Sequence, residues 1–503
     1  MKKLVKLSLI TAALIWLGGC GSSTDAPIVK QQSDDTLALT ADKPAVQTPV
    51  SEGVVEGTGR VVAVEVEPPE DTQTTDDTND PVSVEQGKFL RGTSPVIKSL
   101  FFPANNGLTG TELYRYDLVS KSYTYTDIRA GALGSNPQFL TEVNGKIYFS
   151  ANDGINGREL WVYDGTTNTA TIRNLNVTLG AGSNPRYMTE LDGVLYFSAD
   201  DNTGEGRELY YYDIATNQHG YVRNHLLATL RPGPAGSDPR DLKVQDGVLY
   251  FSATEGPAFG RELYKYDPVA NADSGPVRVA DINPGAGGSN PRFMASIGSK
   301  VYFSANDGVT GREMWVYDSV TNTSKQIRDI NPGGAGSNPS FLTEVNGVIF
   351  FAATDGTITV GRELWKYDTN IDNVAPVANI NLVFGSNPSY IQLMDGNLYF
   401  AGWGRLVGEQ GMELWKYNIA SAKASLVDDI AVGLFRSSAP FWITEANGML
   451  YFGAENSPLN GRELWKSDGE NQSIMINNFN PGAGHFFPNP GANPNMGMIK
   501  TTW

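Results

Sequence analysis

Arginine and glutamate recur side by side along this chain. They close a Gly-Arg-Glu motif, or a close variant, whose glutamates are Glu112, Glu159, Glu208, Glu262, Glu313, Glu363, Glu413 and Glu463, roughly 50 residues apart. The arginine is kept at Arg158, Arg207, Arg261, Arg312, Arg362 and Arg462, and Thr111 and Met412 take its place in the other two copies. A ring of guanidinium groups, each a planar fork of donors, could hold a carboxylate, sulfate or phosphate. The same arginines could instead pair with glutamates of their own or the next repeat, and presence in nearly every copy favours that structural role. Acids also recur, at Asp153, Asp201, Glu255, Asp307 and Asp355. Calcium needs about six to eight converging oxygens, and one acid per repeat supplies too few. No metal or cofactor is expected, calcium being the one ion worth weighing. Catalysis needs a set of groups that breaks the repeat. The chain offers only His219, His225 and His485 and a single cysteine, Cys20, so no catalytic residue is assigned.

Three segments depart from the repeat. AGWGRLVGEQG (401–411) adds Trp403 and Arg405, GLFRSSAPFW (433–442) adds Phe435, Arg436 and Trp442, and HFFPNP (485–490) adds His485, Phe486 and Phe487. Exposed aromatics beside arginine are the usual make-up of a binding hot spot, and aromatic faces also suit sugar rings. Trp403, Arg405, Phe435, Arg436, Trp442 and His485 therefore form the candidate ligand-binding set. The competing reading is that these aromatics fill gaps around the last repeats.

The elements that carry these side chains can be read from one clean repeat, 331–380. The turn formers NPGGAGSNP lead into FLTEV and VIFFAA, which flank Asn346-Gly347, the strongest short-range hairpin signal. The same two-residue turn stands at Asn144-Gly145, Asp192-Gly193, Asp246-Gly247, Asp395-Gly396 and Asn447-Gly448. A Gly-rich loop, TDGTITVG, then enters RELWKYD, and VAPVANI completes a four-stranded antiparallel meander. In RELWVYD (158–164), Leu160 and Val162 fall on one face and Trp161 and Tyr163 on the other. Both faces are apolar, so the sheet must be covered on both sides, as sheets stacked around a ring are. The pattern predicts an all-β, eight-bladed β-propeller of four-stranded repeats. Its first repeat lacks a first strand, and the terminal run MGMIKTTW (497–503 with Met496) is available to supply it and close the ring; a frayed tail is the alternative.

At GRELW…YD followed by DINPGGAGSNP and LTEVNG, the chain resembles the ELWxxDGT-repeat proteins, a bacterial family of extracellular or lipoprotein repeats. The resemblance runs from residue 94 to about 484. It implies secretion and a repeat fold, with no single activity attached. This chain departs from the family's name, because only Asp164-Gly165-Thr166 keeps the DGT.

The N-terminus reads as an export signal. Lys2, Lys3 and Lys6 precede an apolar run from Leu9 to Leu17, and Leu17-Gly18-Gly19-Cys20 resembles the lipobox at which bacterial lipoproteins are cleaved and acylated. Residues 1–19 are thus expected to be a signal peptide and Cys20 the lipidation site, anchoring the protein to a membrane through acyl chains. Gly21 after the cysteine points to the outer membrane, its periplasmic or its outer face left open. Residues 20–87 hold fourteen acids against Lys30, Lys43 and Arg60 and too few large apolar groups to fold, so they read as a disordered linker ahead of the propeller at 88–503. That linker accounts for most of the chain's net charge of −17, and nucleic acid is not an expected partner.

From residues alone, the chain is expected to be a surface-tethered, non-catalytic binding or scaffold lipoprotein that recognises a protein or glycan on the loop face of blades seven and eight. Two other readings stand beside it: a polysaccharide-acting glycosidase or lyase with acids in the central channel, and a purely structural envelope protein.

Overall fold

The computed structural model describes residues 95–503, apart from 177, 179, 224–228, 273, 358–360, 379, 382–384, 405–410, 434–435, 458, 481–483 and 488–496. The expected signal peptide, Cys20 and the linker lie outside the described residues. The described chain is an eight-bladed β-propeller of four-stranded antiparallel sheets. In blade 2 the strands run from the centre outward as Gln138–Val143, Lys146–Asn152, Arg158–Asp164 and Thr169–Arg173. The first strands of successive blades pack against one another and the fourth strands scarcely do, which places the first strands around the central channel.

The hairpin turns follow the local sequence. Asn144 and Gly145 have φ of 50° and 81°, and Asn346 and Gly347 have 51° and 80°. Both central residues are left-handed, as the tight turn that matches strand twist demands, and Asn, Asp and Gly adopt that region at least cost.

Apolar side chains on the two faces of each sheet build separate interfaces instead of one core. Leu160 and Val162 pack toward blade 3 with Leu195, Phe197 and Tyr210. Trp161 and Tyr163 pack toward blade 1 with Phe101 and Leu113. The alternation of Leu-Trp-Val-Tyr thus divides one strand between two interfaces, and eight such clusters close the ring. Each fully buried Leu or Phe contributes about 1.5–3 kcal/mol of transfer free energy.

Closure uses both ends of the described chain. Ile499–Thr501 pairs antiparallel with Ser99–Asn105, with Phe101 opposite Ile499 and Ser99 opposite Thr501. The C-terminal strand is therefore the innermost strand of blade 1, as the missing first strand of the first repeat predicts. Trp503 then lies against Phe101, Tyr163 and the Arg115 guanidinium at the junction with blade 2.

Candidate functional site

The repeated Gly-Ser-Asn-Pro linkers, the loops between second and third strands and the entrance of every first strand share one end of the ring. At that end each first strand of blades 2 to 8 carries the same irregularity. Gln138 pairs with Ser150 and Thr141 with Tyr148, so Phe139 and Leu140 together oppose one residue. This is a β-bulge, in which the extra residue bends the strand and re-aims its side chain. The bulged residues are Phe139, Tyr187, Asp241, Phe293, Phe341, Tyr390 and Trp442, all with φ between 53° and 56°. Glycine would take that conformation freely, whereas a residue with a Cβ loses about 1–2 kcal/mol there. Six of the seven are nevertheless aromatic.

The rings meet around the channel. Phe139 and Tyr187 have centroids 5.2 Å apart, Phe293 and Phe341 5.6 Å, and Phe341 and Tyr390 5.5 Å, all tilted. Phe139 and Trp442 are buried, while Tyr187, Phe293, Phe341 and Tyr390 are half-buried. A cavity of about 280 Å³ touches the first strands of four successive blades, bounded by Asp241, Lys243, Phe293, Met294, Phe341 and Tyr390, with Leu242 and Leu342 between them. The site is an aromatic and aliphatic girdle inside one mouth of the channel, interrupted by the charged groups Asp241 and Lys243 of blade 4.

Arginines of the repeat motif back this girdle. Arg158 donates from Nη1 to the carbonyls of Asn136 (2.9 Å) and Ser150 (3.0 Å), and Arg207 and Arg312 repeat the pair with Asn184 and Ser198 and with Asn290 and Ser304. Arg261 adds an ion pair to Asp238 at 2.8 Å, and Arg362 donates to Ala352 O and Ser340 Oγ. These acceptors flank the bulge, where the strand ladder is broken. The expected pairing of arginine with the adjacent glutamate is not what holds the repeat, because the glutamates are occupied elsewhere. Glu313 accepts from Ser337 N (2.6 Å), Ser337 Oγ (2.5 Å) and Ile330 N (3.2 Å), all on the linker that leaves its own blade. Glu112, Glu159, Glu208, Glu262, Glu363 and Glu413 grip the serines of their linkers in the same way. Burial pushes the Glu112, Glu208 and Glu413 carboxyls up to about 7 despite these donors.

Of the residues singled out for ligand binding, Trp403 is 39% exposed at the end of its strand, Arg436 is exposed, and His485 is exposed while its Nδ1 accepts from Arg462 N at 3.0 Å. Trp442 is only 4% exposed, packed on Phe441 and Phe487, and Phe486 and Phe487 are fully buried. Arg405 and Phe435 lie outside the described residues. The anticipated exposed aromatic patch is therefore not assembled by Trp442, Phe486 and Phe487, which fill the last junction. Arg462 lacks the carbonyl pair of the other motif arginines, and its Nε has no partner among the described residues. The recurring acids close their own loops: Asp153 Oδ1 accepts from Ile155 N and Asn156 N, and Asp307 Oδ1 from Val309 N and Thr310 N. Asp201 and Asp355 accept from Thr203 and Thr357, and Glu255 accepts from Tyr264. His219 meets the Tyr210 hydroxyl at 3.0 Å, and His225 lies outside the described residues.

The girdle residues other than Trp442 were not singled out from sequence, although a signal exists. The second residue after every linker proline is aromatic or Asp241, as in Pro137-Gln138-Phe139 and Pro339-Ser340-Phe341. In a regular strand such a position reads as ordinary core; the bulge turns it to the channel.

No family model matches the chain, and no curated protein shows significant similarity to it. Among solved structures with a related fold, a puromycin hydrolase is 13% identical over 72% of this chain and 55% of its own, with a TM-score of 0.44. A Mycobacterium tuberculosis puromycin-hydrolyzing peptidase is 12% identical over 71% of this chain and 55% of its own, TM-score 0.46. A structure from work on two prolyl endopeptidases is 12% identical over 73% of this chain and 55% of its own, TM-score 0.45. The chain spans little more than half the length of these proteins, and the likeness is one of fold alone. The expectation of a non-catalytic scaffold with its ligand on the loop face of blades seven and eight is corrected by the packing of the last junction. The burial of Trp442, Phe486 and Phe487 supplies the physical reason that its contact surface fails.

Proposed function

We propose that this propeller receives an extended, apolar peptide segment in the mouth of its central channel, as the substrate-receiving part of a peptide-handling protein. The observation that carries this reading is the run of aromatic residues at strained bulge positions, where glycine would serve the backbone better. Aromatic rings at such a cost are explained by what they contact. Met294, Leu242 and Leu342 beside Phe293 and Phe341 offer apolar area along most of the cavity, with Asp241, Lys243 and the Tyr390 hydroxyl as its few polar groups, a make-up that suits hydrophobic side chains of a peptide. Replacement of Phe293 and Phe341 by glycine is the test. Backbone strain is relieved, so the thermal midpoint of the full chain should change little, while affinity for a short Ala/Leu/Phe peptide measured by calorimetry should fall at least about tenfold. A large loss of stability with unchanged peptide affinity would show the rings to be packing alone.

The same proposal places the propeller at the outer membrane as an ELWxxDGT-type repeat lipoprotein. It is supported by the lipobox ending in the sole cysteine, Cys20, and by the acidic linker up to residue 87. Labelled palmitate should enter the wild-type chain and not the Cys20→Ser variant, and only the former should sediment with outer membranes.

A further inference from the structure

The rim of the channel mouth is not uniform. The first residue of the innermost strand, directly before the bulge, is Arg186 in blade 3, Arg240 in blade 4 and Arg292 in blade 5, whereas blades 2, 6, 7 and 8 have Gln138, Ser340, Ser389 and Phe441. One arc of the rim is therefore cationic and the rest neutral, in a chain whose net charge is −17. Arg186 and Arg292 are exposed, and neither side chain makes a hydrogen bond or ion pair among the described residues. Behind them stand the motif arginines. Desolvation lowers Arg158 and Arg207 to about 10, and the neighbouring Arg186 pushes both the same way. Arg312, also lowered to about 10, is pushed by Arg292 in addition to burial. Acids offset the middle of the arc: Asp238 is held by Arg240 and Arg261, and Asp241 at the blade 4 bulge acts on Arg261 and Arg312, which leaves Arg186 and Arg292 at its two ends. Like charges gathered on a half-desolvated rim cost stability, and that cost is recovered when an anion enters and takes charge-assisted hydrogen bonds from several guanidinium forks.

We infer that Arg186 and Arg292, on either side of the ion-paired Arg240, bind a carboxylate of the peptide whose apolar side chains occupy the girdle, an inference that rests on the peptide reading above. Tyr187 and Phe293 directly follow Arg186 and Arg292 in the chain, so one short segment can present a carboxylate to the arginines and apolar side chains to the girdle. The shared chemistry is a carboxylate flanked by hydrophobic side chains, whether at a chain terminus or on an internal acidic residue.

Calorimetry on the full chain with three forms of one Ala/Leu/Phe peptide decides the matter: a free C-terminal acid, its C-terminal amide, and an amide with an internal Glu. At least one carboxylate-bearing form should bind about tenfold or more tighter than the plain amide. In the double variant Arg186→Gln, Arg292→Gln that advantage should shrink to about threefold or less, with the amide's affinity unchanged. Preference for the free acid names the terminus as the source of the carboxylate, and equal preference for the Glu peptide names the side chain. Equal binding of all three forms overturns the carboxylate site and leaves the girdle reading standing. Absence of binding by all three overturns both.

Discussion

Seven junctions between blades carry a glutamate that grips the serine of the outgoing linker, while the junction from blade 8 to blade 1 is filled by aromatic rings. In the seven, a carboxylate takes several donors from one continuous stretch of chain, as Glu313 does from Ile330 and Ser337. In the eighth, Glu463 accepts from Phe479 N at 3.0 Å, and its Oε1 has no partner among the described residues. Phe486 and Phe487 are buried there instead, with Phe479 and Phe486 stacked at 4.3 Å and Phe102 and Phe487 5.3 Å apart. The difference follows from connectivity. A linker that runs into a first strand whose own chain continues into the second is ordered by a local polar clamp, whereas the linker out of blade 8 leads into Ile499–Thr501, which must find Ser99–Asn105 from far away in the sequence. The last junction must join segments from opposite ends of the chain, and apolar burial is the force that does so without exact local geometry.

The largest test of that contrast is Phe486→Ala. Removing a fully buried ring from the closing junction should cost about 3–5 kcal/mol in chemical denaturation, more than any single serine clamp. Ser337→Ala should cost less, about 1.5–3 kcal/mol, since it deprives a buried carboxylate of one charge-assisted donor while the backbone N–H groups of Ile330, Asn331 and Ser337 remain. If the serine change proves the costlier, the contrast between clamped and packed junctions is wrong. Gly165→Leu should lose about 1–3 kcal/mol, because a Cβ at Gly165 would stand 1.7 Å from the Trp503 ring. Combined with Trp503→Ala, that loss should be much less than additive in a double-mutant cycle. This packing also accounts for the glycine of Asp164-Gly165-Thr166, the one Asp-Gly-Thr that directly follows an ELW-type strand: the terminal tryptophan lies on its turn.

The smallest effect is a pH dependence. Burial pushes the Glu463 carboxyl up to about 7. A carboxyl whose folded pKa exceeds its unfolded value, about 4.3, stabilises the fold fully below the unfolded value. That contribution is lost as pH rises through the folded one. Glu463→Gln keeps an acceptor for Phe479 N and cannot ionise. The variant should match the wild type near pH 4 and exceed its thermal midpoint increasingly between pH 5 and 8. A constant offset across that range would assign the effect to packing rather than ionisation.

The repeated pattern by itself determined the strand order, the Asn-Gly and Asp-Gly hairpins, the division of Leu160 and Trp161 between two interfaces, and the need for a terminal strand in blade 1. These are consequences of period-two side-chain alternation and turn chemistry, which act over a few residues. Only the tertiary structure decided where the departures from the repeat go. Trp442, Phe486 and Phe487 look alike in sequence whether they line a surface or plug a junction, and the ring closure buries them. Phe293, Phe341 and Tyr390 read as strand core. One extra residue in the innermost strand of each of blades 2 to 8, held left-handed at the bulge, turns them instead to the channel.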